Sequence, residues 1–499
     1  MADIGVLGLG VMGRNLSLNL ADHGYVTAVF NRHPEVTDRF LTECRQREPS
    51  WPRLQGFHEL ESFVNAIERP RRIVLLVKAG DPTDLTIENL LPFLDPGDIL
   101  IDGGNAHWLD TIRRERELRR REILFVGSGI SGGETGARFG PSLMAGGSLE
   151  AWKRIEPVWL DIAAKVDPKT GDPIEGAAPG KPVRGGEPCA AWVGENGAGH
   201  YVKMVHNGIE YIDMQLIAES YWLLKHLGGF DNATLADIFA HWNQGDLASY
   251  LVAITAEILR QPDPAGEGYL IDRILDAAGQ KGTGKWAAGS ALDLGVPANA
   301  LAEAVFARFL STLVEQRHQA SRMLDGPQPL QANDPDALTR QLERCLYSAK
   351  ICAYAQGFQL MQAAQEEYGW HFDFATIARI WRGGCIIRAR FLNRIANAFE
   401  TAPDLANLLL AEDFRRVLSE GHSAWRRSVA DAALSGLPVP ALASALAYYD
   451  SYRSERLPAN LIQAQRDYFG AHAYERVDRP RGEFFHFDWH GSRQEICSD

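Results

Sequence analysis

The chain has 499 residues, 45% of them apolar, and a formal net charge of -13. Its length exceeds what one ordinary core holds, so two or three compact units are expected. The acidic balance excludes a protein that coats nucleic acid or an anionic membrane, since such binding needs a basic surface to displace counterions. Any anionic ligand must therefore meet a local basic cluster.

No apolar run reaches the roughly 18 residues of a membrane span, and the chain starts as a strand and not as a signal peptide. Six scattered cysteines (Cys44, Cys189, Cys345, Cys352, Cys385 and Cys497) lack CxxC spacing. They read as reduced thiols of a cytoplasmic protein, with no metal site.

Short apolar runs at 4–7, 26–30, 73–77, 99–101 and 123–126 alternate with helical patterns. That alternation predicts a doubly wound, mainly parallel α/β sheet. Between the first strand and its helix stands Gly8-Leu9-Gly10-Val11-Met12-Gly13. Three glycines at this spacing let the backbone turn tightly and bring amide N–H groups and the positive helix end to a pyrophosphate. GxGxxG alone is weak, but strand, glycines, helix and second strand occur here in order. The second strand ends in Asn31-Arg32-His33 where an NAD enzyme places an acidic residue. An arginine there favours a 2′-phosphate, hence NADP. Val77-Lys78-Ala79 and Asp102-Gly103-Gly104-Asn105 close two later strands, where open α/β sheets meet ligands.

From 167 to 188 the chain turns Pro-, Gly- and Lys-rich, as an exposed loop does. Beyond 197 the pattern is almost wholly helical and contains a repeat. The segment 230–239, beginning Phe230-Asp231-Asn232-Ala233-Thr234, matches 372–381, beginning Phe372-Asp373-Phe374-Ala375-Thr376, about 142 residues later. Each copy follows a long helix bearing Gln-Leu, so a duplicated helical unit is expected. The expected division is a Rossmann-like domain over 1–196, an all-α domain over 197–454 and a tail over 455–499. The tail carries Phe484-Phe485-His486-Phe487-Asp488-Trp489, too apolar to be left in water.

A helix over 201–225 places Val202, Val205, Ile209, Ile212 and Leu216 on one stripe. Lys203, His206, Asn207 and Glu210 fall opposite. The set combines two titrating groups with two orienting ones, which suits proton transfer, and the second-copy positions near Tyr347, Lys350, Ile351 and Tyr354 lack it. The loop Gly279-Gln280-Lys281-Gly282-Thr283-Gly284-Lys285-Trp286 imitates a P-loop. Trp286 stands where a Ser or Thr must hold magnesium, and the loop is expected after a helix and not a strand, so a nucleoside triphosphate is excluded. Lys281, Thr283 and the glycine amides still suit a single phosphate.

These stretches, with Gly129-Ile130-Ser131-Gly132-Gly133-Glu134, the run from Lys203 to Tyr211 and that from Ala459 to Gly470, resemble the 6-phosphogluconate dehydrogenase family (NADP-dependent, long-chain form) over nearly the whole chain. The resemblance implies oxidative decarboxylation of 6-phospho-D-gluconate to ribulose 5-phosphate in the oxidative pentose phosphate pathway and gluconate utilization. It implies cofactor contacts at Gly8, Leu9, Gly10, Val11, Met12, Gly13, Asn31, Arg32, His33, Val77, Lys78, Ala79 and Asn105. Substrate contacts are implied at Asn105, Ser131, Gly132, Gly133, His206, Asn207, Tyr211, Lys281, Arg308, Arg466 and His472, with Thr283 joining the phosphate grip. Lys203 matches the family's base and Glu210 its acid. A homodimer is implied as well, the last two residues of that set reaching the other subunit's site. Two features depart from the family: His33 replaces its usual Thr, and the 167–188 stretch is longer by about one short loop. A related β-hydroxyacid dehydrogenase is the nearest rival, disfavoured by Lys281 and Arg466, and a non-catalytic NADPH sensor has no use for both Lys203 and Glu210.

Overall fold

The computed structural model describes residues 1–498. Contacts divide the chain into two compact units, Met1–Leu446 and a second from Ala447 onward.

The first unit is built on strands β1 (Ile4–Leu7), β2 (Thr27–Phe30), β3 (Leu54–Phe57), β4 (Arg72–Leu75), β5 (Ile99–Asp102) and β6 (Leu124–Ile130), all paired in parallel. Strand β7 (Leu143–Gly147) runs antiparallel to β6. Strands β8 (Lys165–Val166) and β9 (Glu187–Pro188) form a separate ribbon. Finally β10 (Ala190–Gly194) joins β7 in parallel, giving the eight-stranded order β10-β7-β6-β5-β4-β1-β2-β3. Alternate side chains enter opposite layers: Val74, Ile99, Ile101 and Val126 pack in one core, and Ile73, Leu75, Leu100 and Phe125 in the other. The order reverses between β1 and β4, so their carboxyl ends form the crevice where such sheets bind ligands. The run expected as a strand over 73–77 stops at Leu75, which leaves Val77, Lys78 and Ala79 on the loop beside this crevice.

The helix expected over 201–225 extends over Ala198–Leu227 and is buried along most of its length. This central helix packs on β6, β7 and β10. A Cβ at Gly199 would collide with backbone atoms of Gly127, Met144 and Gly146, so only glycine permits so close an approach. The sheet and the helical part thus pack closely within the first compact unit.

The duplication is visible in the caps. Asp231 accepts from the Thr234 N–H at the start of Asn232–Trp242, and Asp373 accepts from the Thr376 N–H at the start of Phe374–Ile380. Each follows a long helix, the central one and its companion Pro335–Tyr368, and these two long helices pack on each other. Residues 167–188 are largely exposed, as expected, yet they are pinned: Asn393 donates to the Thr170 carbonyl at 3.0 Å and Arg382 pairs with Glu187 at 2.6 Å.

The second unit holds the helix Ala459–Gly470 and a three-stranded antiparallel sheet of β11 (Tyr474–Glu475), β12 (Phe484–Phe487) and β13 (Glu495–Ser498). Asp467 anchors it, accepting from the ring of His486, the Phe487 N–H and the Trp489 indole. Leu461, Ile462, Phe469 and Val477 remain exposed.

Candidate active site

The glycine loop closes β1 onto the helix Val11–Asp22, whose cap is Gly10. Gly8 has φ +102, and a Cβ there would strike the Leu76 carbonyl, while a Cβ on Gly13 would strike the Gly8 carbonyl. Around Gly10 a Cβ would meet nothing within 4 Å, the open space a pyrophosphate needs beside a helix N-terminus. Leu9 donates its N–H to the Asn31 side chain at 3.1 Å, fixing the end of β2 against the loop. Arg32 and His33 are exposed beyond it, with the guanidinium 3.4 Å from the imidazole and His33 3.8 Å from Glu35. Val11, Lys78 and Asn105 are also exposed around this crevice, with Met12, Val77 and Ala79 half-buried. The donors, the cleared glycine and the free arginine fit a dinucleotide carrying a 2′-phosphate.

On the central helix Lys203, His206 and Asn207 are all buried. The expected polar face is thus not a solvated one. Lys203 Nζ donates to Asn207 Oδ1 at 2.5 Å, Asn207 Nδ2 donates to Thr283 Oγ1 at 3.0 Å, and the His206 ring lies 3.3 Å from Ser131 Oγ. Burial pushes the Lys203 ammonium below its ordinary range, against the opposing pull of Glu210. Burial, with the Lys203 charge beside it, keeps His206 well below its usual value and therefore neutral. Glu210 is raised by burial, opposed by Lys203 and Arg308 and reinforced by Asp213.

Ser131 is buried at the end of β6, and Gly132 and Gly133 follow with φ +101 and +62, opening the helix Gly133–Phe139. Thr283 and Gly284 begin the helix Thr283–Asp293, and Lys281 is exposed just before it. What precedes this loop is a 3-10 turn at Leu270–Arg273 and irregular chain, not the helix expected, because the residues between keep no apolar period. Arg308 stacks over the Tyr211 ring at 3.4 Å and donates to the Gly279 carbonyl at 3.3 Å. His206 Nδ1 lies 3.1 Å from Asn207 Oδ1, which links Ser131, His206, Asn207, Thr283 and Lys203, and the Tyr211 ring lies against Gly284 of the same loop. Arg466 and His472 belong to the second unit, where both are exposed and Arg466 donates to the Gln463 side chain at 3.0 Å.

The second helical copy contributes groups that sequence reasoning missed. The Trp381 ring packs edge-on to His206 with centroids 5.6 Å apart, and the buried Cys385 thiol donates to the Trp381 carbonyl at 3.0 Å. A Cβ on Gly132 would strike the Gly384 carbonyl, so the same turn supports the Ser131 loop. The only sequence signal was the repeat itself, which ends at Trp381.

Comparison with known proteins agrees with this geometry. The family model described as the NAD binding domain of 6-phosphogluconate dehydrogenase matches residues 3–171, and that of the 6-phosphogluconate dehydrogenase C-terminal domain matches 199–489. The chain belongs to the 6-phosphogluconate dehydrogenase family. A decarboxylating member from Lactococcus lactis is 50% identical over 98% of this chain and 99% of its own length. The decarboxylating member from Homo sapiens is also 50% identical, over 100% of this chain and 98% of its own. A Plasmodium falciparum 6-phosphogluconate dehydrogenase, described in its apo form and with NADP+ or 6-phosphogluconate, superposes with a TM-score of 0.90 at 39% identity. That match covers 98% of this chain and 100% of the other.

Proposed function

We propose that the enzyme converts 6-phospho-D-gluconate to ribulose 5-phosphate and CO2, with NADP+ held by the glycine loop, Asn31, Arg32, His33, residues 77–79 and Asn105. The observation that carries the reading is the central helix, which buries an amine, half-buries a carboxyl and pushes each toward its neutral form. Bound NADP+ supplies the hydride acceptor. Neutral Lys203 takes the proton of the C3 hydroxyl as C3 is oxidised to a ketone. The C1 carboxylate then leaves as CO2, its bonding pair passing into an enolate whose oxygen is protonated by the Lys203 ammonium, with Asn207 and His206 orienting the pair. Glu210, protonated in its sheltered position, donates to the carbon that lost CO2, C1 of the product, while the enol hydroxyl returns its proton to Lys203. Transfer from Lys203 to Glu210 resets both groups.

Ser131, Gly132 and Gly133 line the sugar-acid side, and Tyr211, Lys281, Thr283 and Arg308 supply the phosphate grip that the acidic chain otherwise lacks. In this reading 1–196 serves the cofactor, 197–454 the substrate, and 455–499 reaches a second copy, where Arg466 and His472 complete the partner's site. The exposed Leu461, Ile462 and Phe469 support that dimer, since apolar groups clustered on one short helix seek cover. Free thiols at all six cysteines suit the cytoplasm. Among the described residues, no helix is long and apolar enough to cross a membrane.

The test follows reduced-cofactor absorbance with 6-phosphogluconate and either NADP+ or NAD+. Turnover with NADP+ is expected; none with either cofactor overturns the enzyme reading, and equal efficiency overturns only the cofactor choice.

A further inference from the structure

One turn beyond Glu210, the central helix carries a second carboxyl that the reaction does not use. Asp213 is 1% exposed and accepts from Lys350 Nζ at both oxygens, at 2.6 and 2.8 Å, and Lys350 is wholly buried on the companion helix. Such a pair is rarely justified by stability, because well-packed apolar side chains of similar volume hold two helices as well or better. Its placement gives a different reason. Residues three apart lie on one helix face, with Cβ atoms roughly 5–6 Å apart, so Asp213 faces the same side as Glu210.

We propose that the Asp213–Lys350 pair is the positioning element that keeps Glu210 a proton donor. Glu210 is faced by Lys203 from its own helix and by Arg308 from the helix Asn299–Ser311, and both cations favour its ionised form. From the companion helix come Tyr354, whose hydroxyl is tied to the Ile387 carbonyl at 2.9 Å, and Lys350, whose charge is taken up by Asp213. Burial is the largest influence holding Glu210 protonated, and the Asp213 carboxylate adds to it against the two cations. Lys350 is what allows a carboxylate to persist at that depth. The companion helix, without catalytic groups of its own, thus contributes to the protonation state of one in the first copy.

The proposal rests on Glu210 being the acid, and the experiment separates the two claims. The alkaline limb of kcat against pH is measured at saturating 6-phosphogluconate and NADP+ for the wild type, Glu210→Gln, Asp213→Asn and Asp213→Asn/Lys350→Met. If the limb survives in Glu210→Gln, the acid assignment fails, whatever the pair does. If that limb belongs to Glu210, Asp213→Asn is expected to move it lower by about 1 pH unit, as loss of a nearby like charge requires. The double variant, which removes both charges, moves it in the same direction by less. A uniform fall in kcat with the limb unmoved in both variants overturns the proposal. So does failure of both to fold, which makes the pair a fastener only.

Discussion

Lys203 and Lys350 stand on the two long helices of the duplicated unit, both buried, and the fold treats them oppositely. Lys350 has its counter-charge built in, gripping Asp213 with two bonds. Among the described residues, Lys203 hydrogen-bonds only to the amide oxygen of Asn207, and burial disfavours its charge against the pull of Glu210. Arg308 and Arg32 resemble Lys203: among the described residues each contacts a carbonyl, a ring or an imidazole, and no carboxylate lies within ion-pair distance. A cation paired inside the fold holds structure, and one left without its anion awaits a ligand or a proton. The first breaks stability when removed; the second breaks function.

The largest expected effect is on Lys203→Met. Loss of the base lowers kcat about 10²–10⁴-fold. NADPH affinity, read by fluorescence titration, stays near that of the wild type, and Tm does not fall, since a buried amine is replaced by an apolar side chain of similar length. Near-normal turnover would remove Lys203 from the mechanism. Lys350→Met is the mirror experiment: it strands Asp213 and is expected to cost about 3–5 kcal/mol in denaturant unfolding. A loss of activity without loss of stability would reverse the contrast.

The pH profile sharpens it further. Lys203 works neutral and its folded-state value is depressed, so activity rises as pH climbs through it. Glu210 works protonated and its value is raised, so activity falls as pH climbs through that. A bell is expected, and Lys203→Met is expected to lose its acidic limb in the residual rate.

How much of this was legible depends on whether a signal was local. The parallel strands with β-branched runs and the glycine loop were readable, because period and turn chemistry sit in neighbouring residues. Strand β3 (Leu-Gln-Gly-Phe, half exposed at the sheet edge) was missed, as were β7 and β10, which are rich in Gly and Ala and carry between them one β-branched residue, Val193. The catalytic set was legible from its helical spacing, and its burial from the apolar residues around it on the helix, but the neighbours far along the chain were not: Trp381 against His206, and Gly384 under the Ser131 loop. The Asp213–Lys350 pair was invisible for the same reason: Lys350 was noted only as a position lacking the catalytic pattern.

Arg32→Ala carries the comparison to the cofactor. If the arginine awaits a 2′-phosphate, its removal raises KM for NADP+ about tenfold or more, the value of a hydrogen bond to a charged group, and leaves KM for NAD+ unchanged. A parallel rise for both would place Arg32 on a part common to both cofactors.

The smallest effect belongs to His33. Its ring lies between two attractions, 3.4 Å from the Arg32 guanidinium and 3.8 Å from Glu35. Glu35 draws the imidazole away from any phosphate beside Arg32, and both groups are exposed, so screening keeps each interaction weak. His33→Thr removes the ring that leans on Arg32 and supplies a hydroxyl donor. The ratio of kcat/KM for NADP+ over NAD+ is therefore expected to rise, by less than about tenfold. A fall in that ratio would show that the imidazole itself meets the 2′-phosphate, and would move His33 into the class of cations whose anion arrives with the ligand.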